Sequence, residues 1–148
     1  MKQFTYKNNG LTLTEIMVTT IALSVITAFA VPNYNKAVEK SYYRQALTNL
    51  NTIKSAAENY RAIHRRFGVN GAEFNTLPEI NSHLGINISD DHFSYIYAID
   101  GGALSIQLKR NKENNNGYNY QLKRRLEYND TIGSSEDSFK CVGDCKNW

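Results

Sequence analysis

Neither sign of charge dominates this chain: 17 Lys+Arg stand against 14 Asp+Glu in 148 residues. Setting aside residues 1–10, which hold Lys2 and Lys7, the balance is 15 against 14. A near-neutral chain lacks the electrostatic footprint of a dedicated nucleic-acid binder. The chain is also short, and 148 residues with two Pro and two Cys make at most one compact unit, which excludes a large multidomain enzyme. Catalytic signatures are missing: there is no G-x-S-x-G elbow, phosphate loop, H-E-x-x-H helix or dinucleotide fingerprint. His64, His83 and His92 stand alone, so no catalytic residue is assigned and no enzyme activity is expected. Zinc is a poor fit to Cys141 and Cys145, which have no further Cys or His ligand at suitable spacing. Neither a metal site nor a cofactor is predicted.

What the chain does have is one long apolar run. Residues 11–31 hold 14 apolar side chains, six Ser/Thr and a single charge, Glu15. As a helix this run is about 31 Å long, the thickness of a bilayer's hydrocarbon core. Lys2 and Lys7 precede it, so the positive-inside tendency keeps residues 1–10 in the cytoplasm and sends everything after Pro32 outward. An ordinary signal peptide is the rival reading, because Ala28-Phe29-Ala30 imitates a small-residue cleavage site. Against it, the run exceeds the roughly 7–15 residues of a typical signal core and carries a carboxylate. A charge costs about 2.5–3.5 kcal/mol at the centre of a membrane helix and less near an end, so Glu15 calls for a compensating partner. The plainer alternative is a carboxylate at the interface, reaching into the headgroups.

The stretch Asn9-Gly10-Leu11-Thr12-Leu13-Thr14-Glu15, followed by an unbroken apolar helix and then Pro32, resembles the N-terminus of type IV pilins and pseudopilins. The resemblance implies cleavage by a prepilin peptidase after Gly10 and N-methylation of Leu11, which stands where the family usually has Phe or Met. It also makes Glu15 the fifth mature residue and, with Pro32, an assembly determinant. The chemistry of the residues agrees: an incoming subunit's new amine beside a buried carboxylate of its neighbour neutralises both.

Three segments follow from the resemblance: a leader over 1–10, a transmembrane and filament-core helix over 11–31, and an extracytoplasmic pilin-like domain over 32–148. The implied partners are further copies and other pilins, the prepilin peptidase, an inner-membrane assembly platform, and the lipid bilayer before assembly. The implied location is the inner membrane as a single-pass protein, then an extracellular pilus or a periplasmic pseudopilus. The expected function is a structural subunit of a surface filament serving adhesion, motility or DNA uptake. Two alternatives stand beside it: a pseudopilin of a type II secretion system, and a membrane-anchored or secreted binding domain.

Past Pro32 the apolar residues Tyr43, Leu47, Leu50, Ile53, Ala57, Tyr60, Ile63 and Phe67 recur at three and four, one face of an amphipathic helix. Lys36, Glu39, Lys40, Arg44, Lys54, Glu58 and Arg61 are placed on the opposite, solvated face. Gly68 and Gly71, beyond the basic run His64-Arg65-Arg66, are expected to end this helix. Residues 68–91 read as a surface connection. Three strands are predicted over 92–99, 103–109 and 118–128, joined by the hairpin turn Asp100-Gly101-Gly102 and a longer turn over 111–117. The expected fold class is α+β, a long N-terminal helix packed on a small three-stranded antiparallel sheet.

Outside the cytoplasm a disulfide between Cys141 and Cys145 is favoured, pinning the tail, and it resembles the C-terminal disulfide of many pilins. Asp130, Glu136, Asp137 and Asp144 are oxygen ligands of the kind calcium prefers, although their spacing matches no EF-hand. His64-Arg65-Arg66 and Lys123-Arg124-Arg125 have the charge to contact nucleic-acid phosphates, but a solvated helix end and a strand edge explain them more simply.

Overall fold

A computed structural model of the chain describes residues 10–111, 117–129 and 134–147. The leader expected over 1–10, apart from Gly10, lies outside the described residues, as do positions 112–116 of the expected long turn and Asp130 of the acidic tail. The chain divides into two compact units between Val38 and Glu39, where its length suggested at most one, because the large side chains of the apolar segment stay exposed instead of joining a core. The elements are α1 (Leu13–His64), β1 (Glu73–Phe74), α2 (Leu77–Leu84), β2 (Phe93–Asp100), β3 (Ala103–Arg110), β4 (Tyr120–Asn129), β5 (Ser134–Gly143) and a final 3-10 turn (Asp144–Asn147).

In the first unit, the N-terminal part of α1 is long and apolar enough to cross a membrane by length and composition. Its large apolar side chains are exposed, from Leu13 and Ile16 through Phe29. Pro32 lies inside the helix. Proline has no N–H and crowds the preceding turn, and here Asn33 Nδ2 donates to the Phe29 carbonyl at 3.1 Å, supplying that turn with a side-chain bond.

In the second unit, an antiparallel sheet of five strands in the order β1-β2-β3-β4-β5 replaces the three strands expected. The central three match the sequence reading. β1 is only two residues long, and β5, Ser-Ser-Glu-Asp-Ser-Phe-Lys-Cys-Val-Gly, carries too few β-branched and aromatic residues to announce itself. β5 is specified instead by ten antiparallel pairings to β4. Ala46, Leu50, Ile53 and Ala57 of α1 are fully buried against Tyr97, Leu104, Ile106, Leu108 and Leu122 of the sheet.

Three further expectations are corrected in this unit. Part of the supposed surface connection is the helix α2, with Thr76 as N-cap in a reciprocal capping box with Glu79, and Gly85 in a left-handed conformation as its stop. The long helix ends at His64, before the glycines: Arg65 adopts φ 62° and its N–H donates to the Arg61 carbonyl at 2.7 Å. Glu39, placed on the solvated face, is fully buried, while Ile63, placed on the apolar face, is 76% exposed. The buried stripe is Glu39, Ala46, Leu50, Ile53 and Ala57, so the expected face is the one that packs, with Glu39 on it and Ile63 off its edge.

Candidate functional site

Gly10, Leu11 and Thr12 precede α1 in a non-helical stretch. Leu11 is 75% exposed, and Gly10 has open space where a side chain would stand. Glu15 is the third residue of the helix and folds back on its start. The Thr12 N–H donates to Glu15 Oε2 at 2.8 Å, the Thr12 hydroxyl donates to the same oxygen at 2.7 Å, and the Glu15 N–H donates to Thr12 Oγ1 at 3.3 Å. This is a capping box, in which a threonine and a glutamate three residues apart satisfy each other's orphan donors. Along the same segment Thr19, Thr20, Ser24 and Thr27 each donate to a carbonyl one turn back, and Thr12 bonds to Thr14. All six hydroxyls of the apolar run are therefore satisfied within their own segment, which lowers the desolvation cost of placing them in lipid.

The second unit carries two polar clusters that the sequence reading missed. The first is buried: Arg110 Nε and Nη2 donate to Glu39 Oε1 and Oε2 at 2.7 and 3.2 Å, and Nη1 donates to the His92 carbonyl at 2.8 Å. The Tyr120 hydroxyl donates to Glu39 Oε1 at 3.1 Å, and the Tyr42 ring lies 4.9 Å from the guanidinium carbon. Both ionic side chains are fully shielded, so a bidentate ion pair fastens α1 to β3 and β4 inside the core. Its signal was available, because Glu39 stands seven residues before the buried Ala46 and so lies on the same helix face.

The second cluster is half-exposed. Arg124 donates to Asp137 from Nε and Nη2 at 2.7 and 2.6 Å, and Lys54 Nζ donates to Asp137 Oδ2 at 2.9 Å. Nη1 of Arg124 also reaches Asn51 Oδ1. The Arg124 bond first, helped by the Lys54 bond against partial burial, lowers the Asp137 carboxyl to about 2. Burial, above all, raises the hydroxyls of Tyr95, Tyr97 and Tyr120 well beyond the ordinary tyrosine range.

Cys141 and Cys145 form a disulfide at the end of β5. Beside it Asn119 and Asp144 clasp each other: the Asn119 N–H donates to Asp144 Oδ2 at 2.8 Å, and the Asp144 N–H donates to the Asn119 carbonyl at 3.2 Å. Gly143 sits at φ 100° where any Cβ would strike that carbonyl, so the approach of the two segments depends on glycine. Of the acidic residues considered for calcium, Asp137 is held by two cations and Asp144 by a backbone N–H. No group of three metal-ligating side chains occurs among the described residues.

The two basic triplets are not brought together as continuous phosphate-binding runs. Arg124 shares the helix-facing side of β4 with Leu122 and Leu126, while Lys123 and Arg125 point to the other side, where Arg125 pairs with Glu127 at 2.5 Å. In the other triplet, the His64 ring packs 4.3 Å from Tyr60, and Arg65 and Arg66 are exposed.

No protein-family model matches the chain. No solved structure matches it either. Among curated proteins it is similar to the type IV major pilin protein PilA of Myxococcus xanthus (strain DK1622), 27% identical over 89 residues, which is 60% of this chain and 40% of that protein. It is also similar to the type II secretion system core protein G of Pectobacterium carotovorum subsp. carotovorum, 32% identical over 62 residues, 42% of this chain and 40% of that protein. The matches span about two-fifths of the length of each relative.

Proposed function

We propose that this chain is a type IV pilin-like structural subunit, cut after Gly10, methylated at Leu11 and polymerised into a surface filament. Both curated similarities support a type IV pilin or pseudopilin family and indicate a pilin- or pseudopilin-like subunit. The observation that carries the finer reading is the N-terminal segment: an accessible Gly10–Leu11 bond in a non-helical stretch, then a span-length apolar helix whose one acid is Glu15. In this reading residues 11–31 hold the subunit in the inner membrane, and the same apolar surface then packs against other subunits in the filament core. Glu15 sets register by pairing with the amine of an incoming subunit, a contact strengthened by the low dielectric. The prepilin peptidase and an inner-membrane assembly platform are the further partners, and residues 32–148 lie outside the cytoplasm, where a Cys141–Cys145 disulfide persists.

A secretion pseudopilin is the second reading, favoured by the similarity to core protein G. It predicts calcium-dependent folding and a role in protein export in place of surface fibres. The engagement of Asp137 by Arg124 and Lys54 favours the pilus reading. Intact-mass and N-terminal peptide analysis of protein from native membranes or sheared fibres tests the proposal. A chain beginning at Leu11 and one methyl group heavier than calculated is expected. A start at Val31 would mean ordinary secretion, and a start at Met1 a simple membrane anchor; either result overturns the filament reading.

A further inference from the structure

The side of the sheet turned away from α1 carries a charge pattern that the assembly of apolar helices does not use. In the β4–β5 ladder Lys123 stands directly opposite Lys140, and Glu127 directly opposite Glu136, with the Arg125–Ser138 pair between them. All four charged side chains lie on this outward side, and Glu127, Glu136 and Lys140 are exposed. Like charges directly opposite on one face weaken strand pairing, whereas opposite charges there strengthen it. Nothing in the fold requires the unfavourable choice, because β5 is an edge strand. Charge on an edge discourages aggregation whatever its sign, so that role does not explain why the signs are sorted into a basic row and an acidic row.

We infer that the outward face of β4 and β5 is a self-recognition surface whose occupant is a second copy of this chain. Lys123 and Glu127 stand four positions apart, as do Glu136 and Lys140, about 13 Å in each strand. A two-fold axis along the Arg125–Ser138 row therefore lays Lys140 over the second copy's Glu136 and Lys123 over its Glu127, and the reverse. Each like-charge pair, unfavourable within one copy, becomes one half of a complementary set between two, while Arg125, which the axis brings against its own equivalent, is neutralised by Glu127 within each copy. A polyanion fits less well, because Glu127 and Glu136 share the face with the lysines. Lys140 and Glu136 make no ion pair among the described residues, whereas Glu127 already holds Arg125, so Lys140 and Glu136 are the pair to test. Contact through two strands belongs to the small, transient class of interfaces and is screened by salt. Summation of such contacts along aligned copies rests on the filament reading; the pairing itself does not.

The full chain in lipid nanodiscs, one copy per disc, isolates this face from filament packing of the apolar helix. Sedimentation should show disc pairing at about 50 mM salt that is lost at about 500 mM. K140E and E136K should each weaken pairing about tenfold or more, and an equal mixture of the two should restore it, since their reversed charges complement one another. Each single variant also places opposite charges across the β4–β5 ladder, so its melting temperature should hold or rise, which separates lost pairing from lost folding. Wild-type discs that do not pair, single variants that pair normally, or a mixture that stays apart would overturn the proposal. Heparin binding without self-pairing would also overturn it, assigning the basic row to a polyanion. The mass of the mature N-terminus is an independent readout, so failure of the processing proposal and failure of this one are distinguishable.

Discussion

Glu39 and Arg110 are both shielded from solvent, so removing one takes a bidentate ionic partner from a side chain that stays buried. Glu39→Ala is expected to destabilise the second unit by about 3–5 kcal/mol, read by urea unfolding, and Arg110→Met by a similar amount. The double variant Glu39→Leu/Arg110→Met should lose far less stability than the sum of the two single losses, because replacing both charges by apolar groups removes the desolvation penalty of each. Asp137 acts differently, since it is half-exposed and its effect is read through pH. Its folded-state carboxyl, held by Arg124 and Lys54, titrates at about 2 against an ordinary 3.8. The unfolded chain therefore takes up the proton first as pH falls. The stabilisation is complete above about pH 4 and is lost as pH drops toward about 2. Melting temperatures recorded across that window should fall less steeply in Asp137→Asn than in the wild type, and identical slopes would remove Asp137 from the acid response.

At the scale of elements, α2 depends on its ends. Eight residues are too few for a helix to persist by propensity, so the Thr76–Glu79 capping box and the Gly85 stop fix its limits while Ile80 anchors it in the core. Thr76→Ala should cost about 1 kcal/mol and raise amide exchange within 77–84 more than in β3. The same helix marks where the sequence could be read and where it was under-read. Long periodic segments and the Asp100-Gly101-Gly102 turn were legible because the hydrophobic period and the turn chemistry agree. The T-x-x-E pattern at Thr76 and the apolar spacing of Leu77, Ile80 and Leu84 were equally present in the sequence, but brevity hid them. β5 was not legible at all, since only its partner strand makes its polar sequence a strand. Glu39 was misplaced because a charged residue on a helix is ordinarily solvated, and its partner Arg110 lies 71 residues away in sequence.

For the molecule as a whole, the N-terminal residues on which the proposed function rests were named from sequence, but Glu15's bond to Thr12 was not, and it divides the roles open to that carboxylate. Glu15 either caps its own helix or supplies a charge to a neighbouring subunit, and a substitution to alanine removes both at once. Glutamine separates them, because it retains the hydrogen bonding of a capping box and loses the charge. If charge selects the incoming subunit, Glu15→Gln and Glu15→Ala should both insert into the membrane normally and both reduce surface filaments severely. Thr12→Ala, which removes the hydroxyl partner and leaves the charge, should still assemble. If capping is the role, Glu15→Gln should form filaments while Thr12→Ala and Glu15→Ala lose them together. Counting sheared fibres from the three variants, alongside their membrane-fraction yields, decides between a carboxylate that organises one helix and one that joins two subunits.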